Sequence, residues 1–218
     1  GGINPSLGNA YASGSIQRLT KIFKKYETVI FISTFILFTV GGLLITPFVM
    51  LYTHGVTDAN YYQPVLGILL ILSEGICCLR EPYVNLAYSA NRFRNVTKHA
   101  IIEAILNISI SIILVFSFGV VGVAIGTLVS MSYRTVFHVW YSKKIIPNWN
   151  YSDFTKRTLI NSIVAIIGVM LCVTILLPSN NSWASWIICG IIYTIIISSL
   201  ILCINTIYLN PKHRNQRQ

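Results

Sequence analysis

The most constraining feature of this sequence is an uncharged stretch of 54 positions, residues 158–211, in which no Asp, Glu, Lys or Arg occurs. A helix that crosses the hydrocarbon core of a bilayer needs about 20 consecutive apolar residues. The stretch is therefore too long for one membrane span and long enough for two. Its turn signal, Pro-Ser-Asn-Asn-Ser at residues 178–182, divides it into predicted spans at residues 159–177 and 183–208.

Four further spans are predicted upstream. Residues 28–55 also lack Asp, Glu, Lys and Arg, so a span is expected there that ends near Tyr52. The apolar runs on either side of Gly119 are separated by so short a turn that they must form an antiparallel hairpin. With a span that begins near Tyr61, the predicted boundaries are 28–52, 61–83, 100–118 and 120–141.

The composition supports an integral membrane protein. The chain of 218 residues is 54% hydrophobic and 10% charged, whereas about 25% of the residues of soluble domains are charged. A soluble domain of this size could not bury so much apolar surface. The predicted fold class is therefore an all-α, polytopic transmembrane helix bundle of six spans.

The distribution of basic residues predicts the orientation of the bundle. The chain has 16 Lys and Arg residues against 6 Asp and Glu residues. Fourteen of the basic residues fall before the first span, in the loops after the second and fourth spans, or in the C-terminal tail, and six spans place these segments on one side. By the positive-inside rule that side is cytoplasmic, so both termini are expected there. No nucleic-acid partner is predicted, because such an excess in a membrane protein indicates cytoplasmic loops.

These boundaries predict five segments along the chain. The first combines the end of a preceding helix with a basic amphipathic segment, in which apolar residues from Ile16 to Tyr26 recur at helical spacing. Four spans of one lobe, a cytoplasmic loop, a C-terminal transmembrane hairpin and a basic cytoplasmic tail follow. The corresponding residues are 1–27, 28–142, 143–157, 158–208 and 209–218.

No sequence pattern of a soluble enzyme is present. The chain contains no phosphate-binding glycine loop, no H-E-x-x-H and no G-x-S-x-G motif. Its five cysteines lie inside apolar runs without metal-ligand spacing. Its four histidines, among them His138, lie near predicted span ends, where a water-exposed imidazole is expected. No catalytic residue, metal or cofactor is therefore predicted.

Ionisable residues at membrane depth are the candidates for function, because a charge there costs a few kcal/mol and usually faces a cavity or a partner. Glu74 lies near the middle of the second span. It is expected either to form a proton site, cation site or polar gate of a transport pathway, or to be a neutral carboxyl hydrogen-bonded between helices. Arg80 and Glu81 lie one to two turns farther along. Arg80 is expected either to attract an anionic head group or to pair with Glu103 or Glu81.

The predicted hairpin adds further candidates for the substrate or ion pathway. Glu103 and Asn107 are four residues apart and therefore share one face of a helix. Arg134, in the last third of its span, is expected either to be a cavity cation or to extend toward the interface. Three glycines are expected to serve the turn and close helix packing, not ligand binding: Gly119, Gly122 and Gly126.

Four motifs, in this order along the chain, resemble the C-terminal part of a transporter family. They are Pro5-x-Leu7-Gly8-x-x-x-Ala12-x-Gly14, the basic helix from Arg18 to Lys25, Glu103-x-x-x-Asn107, and Gly119-x-x-Gly122-x-x-x-Gly126-Thr127. Over residues 4–144, the chain resembles the Wzx-like flippases of lipid-linked oligosaccharides. These belong to the MOP exporter superfamily, which also contains the MATE drug exporters.

The resemblance implies a non-enzymatic transporter of two six-helix lobes around a central cavity. Such a protein moves undecaprenyl-pyrophosphate-linked repeat units of O-antigen, lipopolysaccharide, capsule or exopolysaccharide across the bacterial inner membrane by alternating access. The implied partners are the lipid bilayer, the lipid-linked oligosaccharide, an upstream N-terminal lobe of the same protein, a polysaccharide polymerase and glycosyltransferases. Half a cavity cannot alternate, so the chain is expected to be part of a longer transporter, with the last two spans as an appended hairpin.

Three alternatives remain open from the sequence. A MATE-type cation-coupled multidrug antiporter would make Glu74 a cation site, although other acidic residues in the middle of the membrane are lacking. A membrane polymerase or acyltransferase would need larger outer loops than the short turns predicted here. A truncated, inactive product is the third alternative.

Overall fold

The computed structural model describes residues 2–147, 149–175 and 182–209. Within these ranges the regular structure is helical and contains no β strand, which confirms the all-α fold class. Most of the predicted turn at residues 178–182 and the basic tail from residue 210 onward lie outside the described residues. The helices are α1 (Ile3–Ala12), α2 (Ile16–Tyr52), α3 (Pro64–Ser89), α4 (Phe93–Phe118), α5 (Val120–Tyr141), α6 (Tyr151–Ile175) and α7 (Trp183–Leu209), with a 3-10 turn at Ser142–Lys144.

Helix α2 joins the predicted basic segment and the first predicted span into one helix of 37 residues. At a rise of about 1.5 Å per residue it is about 55 Å long, which exceeds the hydrocarbon core of about 30 Å. Neither Gly nor Pro occurs between Ser15 and Gly41. Nothing in the backbone therefore ends the helix where its basic turns meet its apolar turns.

Five of the described helices are long and apolar enough to cross a membrane, namely α2, α4, α5, α6 and α7. The remaining predicted span, at residues 61–83, corresponds to α3, which has 26 residues but contains Glu74, Arg80 and Glu81. These three ionisable residues within its apolar length distinguish α3 from the five helices named above. The stability of α3 within a membrane therefore depends on the partners that its charged side chains find. The chain is a multi-pass membrane protein.

The residues of the chain fall into two compact units. The first unit comprises Gly1–Phe31 and Ile68–Thr155, and the second comprises Ile32–Gly67 and Lys156–Gln218. Helices α1, α4 and α5 belong to the first unit, and α7 belongs to the second. Helices α2, α3 and α6 contribute residues to both.

In the first unit, α4 and α5 form the predicted hairpin. Gly119 follows α4 with a φ angle of 58°, a backbone conformation that favours glycine. A Cβ atom on Gly122 would lie 2.4 Å from the carbonyl oxygen of Leu114, and one on Gly126 would lie 2.4 Å from Oγ of Ser111. Glycine at these positions therefore lets the two helices approach each other closely.

Aromatic rings from three other segments of the first unit pack around Tyr83. The centroid of its ring lies 5.5 Å from that of Phe23, 5.6 Å from that of Trp149 and 5.5 Å from that of Phe154, each in an edge-to-face arrangement. Such pairs contribute about 0.5–1.5 kcal/mol each beyond the burial of their surface. Because Trp149 follows α5, the cluster holds the α5–α6 connection against α2 and α3.

In the second unit, α7 supplies most of an apolar core. Cys189, Tyr193 and Ile197 of α7 are buried together with Leu44 of α2 and Cys172 of α6. The indole Nε1 of Trp186 also donates a hydrogen bond of 3.1 Å to the carbonyl oxygen of Leu44. Packing along this face fixes α7 against the apolar half of α2.

A buried polar network also joins α6 to α7 in the second unit. Asn205 Nδ2 donates to Asn161 Oδ1 at 2.8 Å, and Arg157 Nη2 donates to Asn205 Oδ1 at 3.4 Å. Both asparagines are 2% exposed. Because an unpaired amide is costly in an apolar environment, these bonds favour one register of α6 against α7.

The close approach of α4 and α5 predicts the effect of a single added methyl group. We expect Gly122→Ala to destabilise the protein by about 1–3 kcal/mol, because the new Cβ overlaps the backbone of Leu114. The measurement is thermal unfolding of the purified protein in detergent. Gly8→Ala is the control, since a Cβ there meets nothing within 4 Å. Equal unfolding midpoints for the two variants would contradict the packing role of Gly122.

Candidate functional site

Three of the ionisable residues selected from the sequence meet in the first unit. Nη1 of Arg80 on α3 donates to Oε1 of Glu103 on α4 at 2.8 Å. Nη1 of Arg134 on α5 donates to Oε2 of the same carboxylate at 2.5 Å. Of the partners considered for Arg80, the structure therefore shows Glu103. We call Arg80, Glu103 and Arg134 the ion-pair cluster.

The helix connections explain why these three residues lie at the same level. Glu103 precedes Gly119 by 16 residues and Arg134 follows it by 15, so the two lie opposite each other in the antiparallel hairpin. Arg80 precedes Asn91 by 11 residues and Glu103 follows it by 12, which gives the same match across the α3–α4 turn. Because each residue adds about 1.5 Å along the helix axis, residues that are equally far from a turn in sequence lie at similar heights on the two helices.

The ion-pair cluster is largely buried and carries an excess of positive charge. The side chains of Arg80, Glu103 and Arg134 are 7%, 14% and 15% exposed. Two guanidinium groups share one carboxylate, so one positive charge is not balanced within the cluster. Removing one partner from a buried ion pair is strongly destabilising, because the charge left behind is not compensated.

His138 lies one helical turn beyond Arg134 on α5. It is 1% exposed, so the expectation of a water-exposed histidine at a span end is wrong for this residue. In the described part of the chain, neither of its ring nitrogens has a hydrogen-bond partner. The sequence places His138 near the end of α5 but does not show that this face of the helix is covered.

The guanidinium groups of the cluster also have unused donors. Nε of Arg80 and Nε of Arg134 are buried and have no hydrogen-bond partner among the described residues. Nη2 of Arg80 donates to the thiol sulfur of Cys77 at 3.2 Å, which is a weak acceptor. The cluster is therefore rich in donors and poor in acceptors.

The other acidic candidates of α3 lie outside this cluster. Glu74 and Glu81 are both exposed. Neither takes part in an ion pair within the described ranges. Glu74 is thus accessible for interaction from outside the helices described here, and the structure does not bury it between them.

Asn107 lies one turn from Glu103 on α4 and has different partners. Its Oδ1 accepts a hydrogen bond of 3.0 Å from Oγ of Ser111, and that hydroxyl also lies 3.4 Å from the carbonyl oxygen of Val123. The backbone oxygen of Asn107 would lie 3.3 Å from a Cβ on Gly126. Asn107 is therefore part of the close contact between α4 and α5.

A buried carboxyl group in α2 was not among the residues selected from the sequence. Glu27 is 5% exposed, and its Oε1 accepts a hydrogen bond from the hydroxyl of Tyr83. The sequence signal that could have identified it is its position, since Glu27 is the acidic residue directly before the uncharged stretch at residues 28–55. Its interaction ties α2 to α3 beside the aromatic cluster.

Comparison with known families then supplies an assignment. The family model described as lipid II flippase MurJ matches residues 5–197. The chain belongs to the MurJ lipid II flippase family. Comparisons with curated proteins and with solved structures found no match.

Membership of the MurJ family confirms part of what the sequence resemblance implied. The family consists of flippases and not of enzymes, and it lies within the superfamily expected from the motifs. The match does not support the Wzx-like group specifically. It also continues past residue 144, where the resemblance ended, through α6 and into α7. All three members of the ion-pair cluster lie inside the matched region.

The shared carboxylate of Glu103 predicts that the replacement of two different glutamates by alanine has very different effects on stability. We expect Glu103→Ala to destabilise the protein by about 3–5 kcal/mol, because it leaves two buried arginines without their counter-ion. Glu81→Ala removes an exposed carboxylate from the adjacent helix and should change stability by about 0.5 kcal/mol or less. The check is the thermal unfolding midpoint in detergent, and similar midpoints would show that the ion pairs contribute little.

Proposed function

We propose that this chain is part of a flippase that moves a polyprenyl-pyrophosphate-linked saccharide across the bacterial inner membrane. The observation that carries the proposal is the match to the lipid II flippase family over residues 5–197. The long apolar helices and the excess of buried positive charge in the ion-pair cluster support it. A lipid-linked pyrophosphate needs an apolar environment for its polyprenyl tail and a cationic partner for its pyrophosphate head group.

Two lipid-linked molecules are candidates for the cargo of this transporter. The family description names lipid II, which is a lipid-linked precursor. The resemblance of the motifs to Wzx-like proteins favours a repeat unit of O-antigen, capsule or exopolysaccharide instead. We take lipid II as the first candidate because the family match covers more of the chain than the motifs do, and we keep the repeat unit as the second.

The mechanism that we propose is alternating access together with an upstream lobe of the same protein. Within the first unit, the ion-pair cluster connects α3, α4 and α5 through one carboxylate. Helices linked in this way move as a group, since separating any one of them would leave a buried charge unpaired. The cluster thus favours rigid-body motion of these helices over their separate displacement.

We further propose that the ends of α3 and α5 at which the ion-pair cluster lies face the cytoplasm, as do both termini. Four basic residues are exposed at these ends: Arg92 in the α3–α4 turn, Arg94 in the first turn of α4, and Lys143 and Lys144 after α5. The Gly119 turn at the opposite end of the hairpin carries no charge. This asymmetry supports the orientation by the positive-inside rule.

Transport of the lipid-linked cargo is the direct test of the proposed function. We expect the full-length protein in proteoliposomes to move a fluorescent lipid II analogue between leaflets faster than empty liposomes, and a chain with Glu103→Ala to lose this activity. A parallel arm with a polyprenyl-pyrophosphate-linked oligosaccharide repeat unit separates the two cargo candidates. Absence of flipping in both arms would refute the proposal.

A MATE-type antiporter remains the second candidate, because Glu74 is an exposed carboxylate in the middle of α3. We expect Glu74→Gln to slow flipping while leaving insertion and stability unchanged, since the amide keeps the shape but cannot ionise. Asp153→Asn, an exposed acid in the first turn of α6, is the matched control. Unchanged flipping would remove Glu74 from the mechanism, whereas export of a cationic drug coupled to Glu74 would favour the antiporter.

A further inference from the structure

We propose that aromatic rings at the end of α2 and the start of α7 form a binding platform for a saccharide. The rings belong to Phe48, Tyr52, Trp183 and Trp186, all in the second unit. We call these four side chains the aromatic platform. That the saccharide belongs to the lipid-linked cargo rests on the proposed function, whereas the platform itself rests on the geometry and exposure of its side chains.

The four rings form one continuous surface. The ring centroid of Phe48 lies 6.1 Å from that of Tyr52 in a stacked arrangement, 6.0 Å from that of Trp183 and 5.6 Å from that of Trp186. The hydrogen bond from Nε1 of Trp186 to the carbonyl oxygen of Leu44 fixes one of the two indoles. Rings that already hold one another in place lose little side-chain freedom when a ligand binds, which favours binding.

The accessible area of the platform is large enough for more than one sugar ring to make contact. Tyr52 is 74% exposed, Trp183 is 47% exposed and Phe48 is 37% exposed. The face of an aromatic ring carries partial negative charge, and one face of a pyranose presents C–H groups that carry partial positive charge. A saccharide therefore packs well against joined aromatic faces. A single aromatic side chain that only anchors a helix at the membrane interface does not need such contacts with other rings.

The loop at residues 53–63, directly after α2, supplies hydrogen-bonding groups in the same unit. Oδ1 of Asp58 accepts a hydrogen bond of 2.9 Å from the hydroxyl of Tyr61, and Oδ1 of Asn60 accepts one of 3.0 Å from the backbone N–H of Tyr62. These bonds hold the carboxylate and the amide in place. Each group can form more than one hydrogen bond, so both are also able to bind sugar hydroxyls.

The charges near the platform favour an uncharged ligand over a phosphate. Neither Lys nor Arg occurs in residues 26–79 or in residues 158–211, and Asp58 is the charged residue of the loop at residues 53–63. A phosphate would find no cationic partner in these segments and would be repelled by Asp58. The hydroxyl and C–H groups of a sugar meet no such repulsion. The platform therefore fits the saccharide part of a lipid-linked cargo and not its pyrophosphate.

The position of the platform at the membrane surface also favours a tethered saccharide. Under the orientation proposed above, the end of α2 at Tyr52 faces away from the cytoplasm, because the basic residues of this helix lie at its other end. Exposed Trp and Tyr side chains lie at the level of the lipid head groups. A saccharide that is attached to a lipid is held at the same level. The tether raises its effective concentration, so even a weak site retains the cargo after transfer.

Binding of defined saccharides to the purified full-length protein tests the platform. The protein is placed in nanodiscs, since the sugar head groups of common detergents would compete, and binding is followed by saturation-transfer NMR. The probes are tri-N-acetylchitotriose and sorbitol, which has hydroxyl groups but no pyranose face. We expect chitotriose to bind and sorbitol not to bind. Equal binding of the two would show that the aromatic faces select nothing and would contradict the proposal.

Substitutions locate the binding to the platform. Trp183→Ala and Tyr52→Ala should each weaken chitotriose binding by about fivefold or more, because each removes an exposed aromatic face. Trp183→Phe should recover part of the affinity. Trp140→Ala is the matched control, since Trp140 is a 55% exposed indole near the end of α5 and lies outside the platform. The unfolding midpoint of each variant is measured without ligand, and Tyr52→Ala carries the test if Trp183→Ala does not fold.

A lipid-linked form of the saccharide separates the two sources of the ligand. We expect a lipid II analogue in the nanodisc to lose affinity in Trp183→Ala by at least the same factor as chitotriose, because the tether brings its sugars to the platform. Loss of chitotriose binding without any loss for the lipid-linked form would assign the platform to a free saccharide and refute its assignment to the cargo.

Two results with the variants would overturn the inference. One is the same chitotriose affinity in Trp183→Ala, Tyr52→Ala and the unmodified protein. The other is an equal loss of affinity in Trp183→Ala and Trp140→Ala, which would indicate a general effect of interfacial tryptophans. Flipping of the lipid-linked cargo with either result would leave the proposed function standing without the platform. Saccharide binding at the platform without any flipping would support the platform and refute the function.

Discussion

One carboxylate, that of Glu103, determines whether two arginines can be buried in this helix bundle. Arg80 and Arg134 come from the helices before and after α4 in the sequence, and each reaches a different oxygen of Glu103. In an apolar environment each guanidinium alone would cost several kcal/mol. The packing of α3 and α5 against α4 at this level is therefore tied to the ion pairs.

The glycines near the turn of the α4–α5 hairpin also contribute to the pairing of Arg134 with Glu103. Gly122 and Gly126 leave room for the backbone of Leu114 and the side chain of Ser111, so α4 and α5 approach closely near Gly119. Because the hairpin is antiparallel, the same alignment places Arg134 opposite Glu103, 15 or 16 residues from the turn. Close packing at one end of the hairpin and charge pairing at the other end thus depend on the same alignment.

Much of this structure could be predicted from the sequence, because membrane spans follow from apolar length. The predicted span at residues 120–141 coincides with α5, and the hairpin turn at Gly119 is where the structure has it. The end of α3 and the starts of α4 and α6 were less accurate, because these helices extend into polar sequence that hydropathy does not mark. The sequence offered Glu103 and Glu81 as partners of Arg80, and the structure shows Glu103.

The burial of His138 and Glu27 could not be predicted in the same way. Each lies near the end of an apolar run, where an exposed and a covered position have the same sequence signature. Their burial depends on which helix face packs against a neighbour, and that is a property of the tertiary contacts. Glu74 shows the opposite case. Its central position allowed either a site in a transport pathway or a carboxyl hydrogen-bonded between helices, and the structure leaves it exposed.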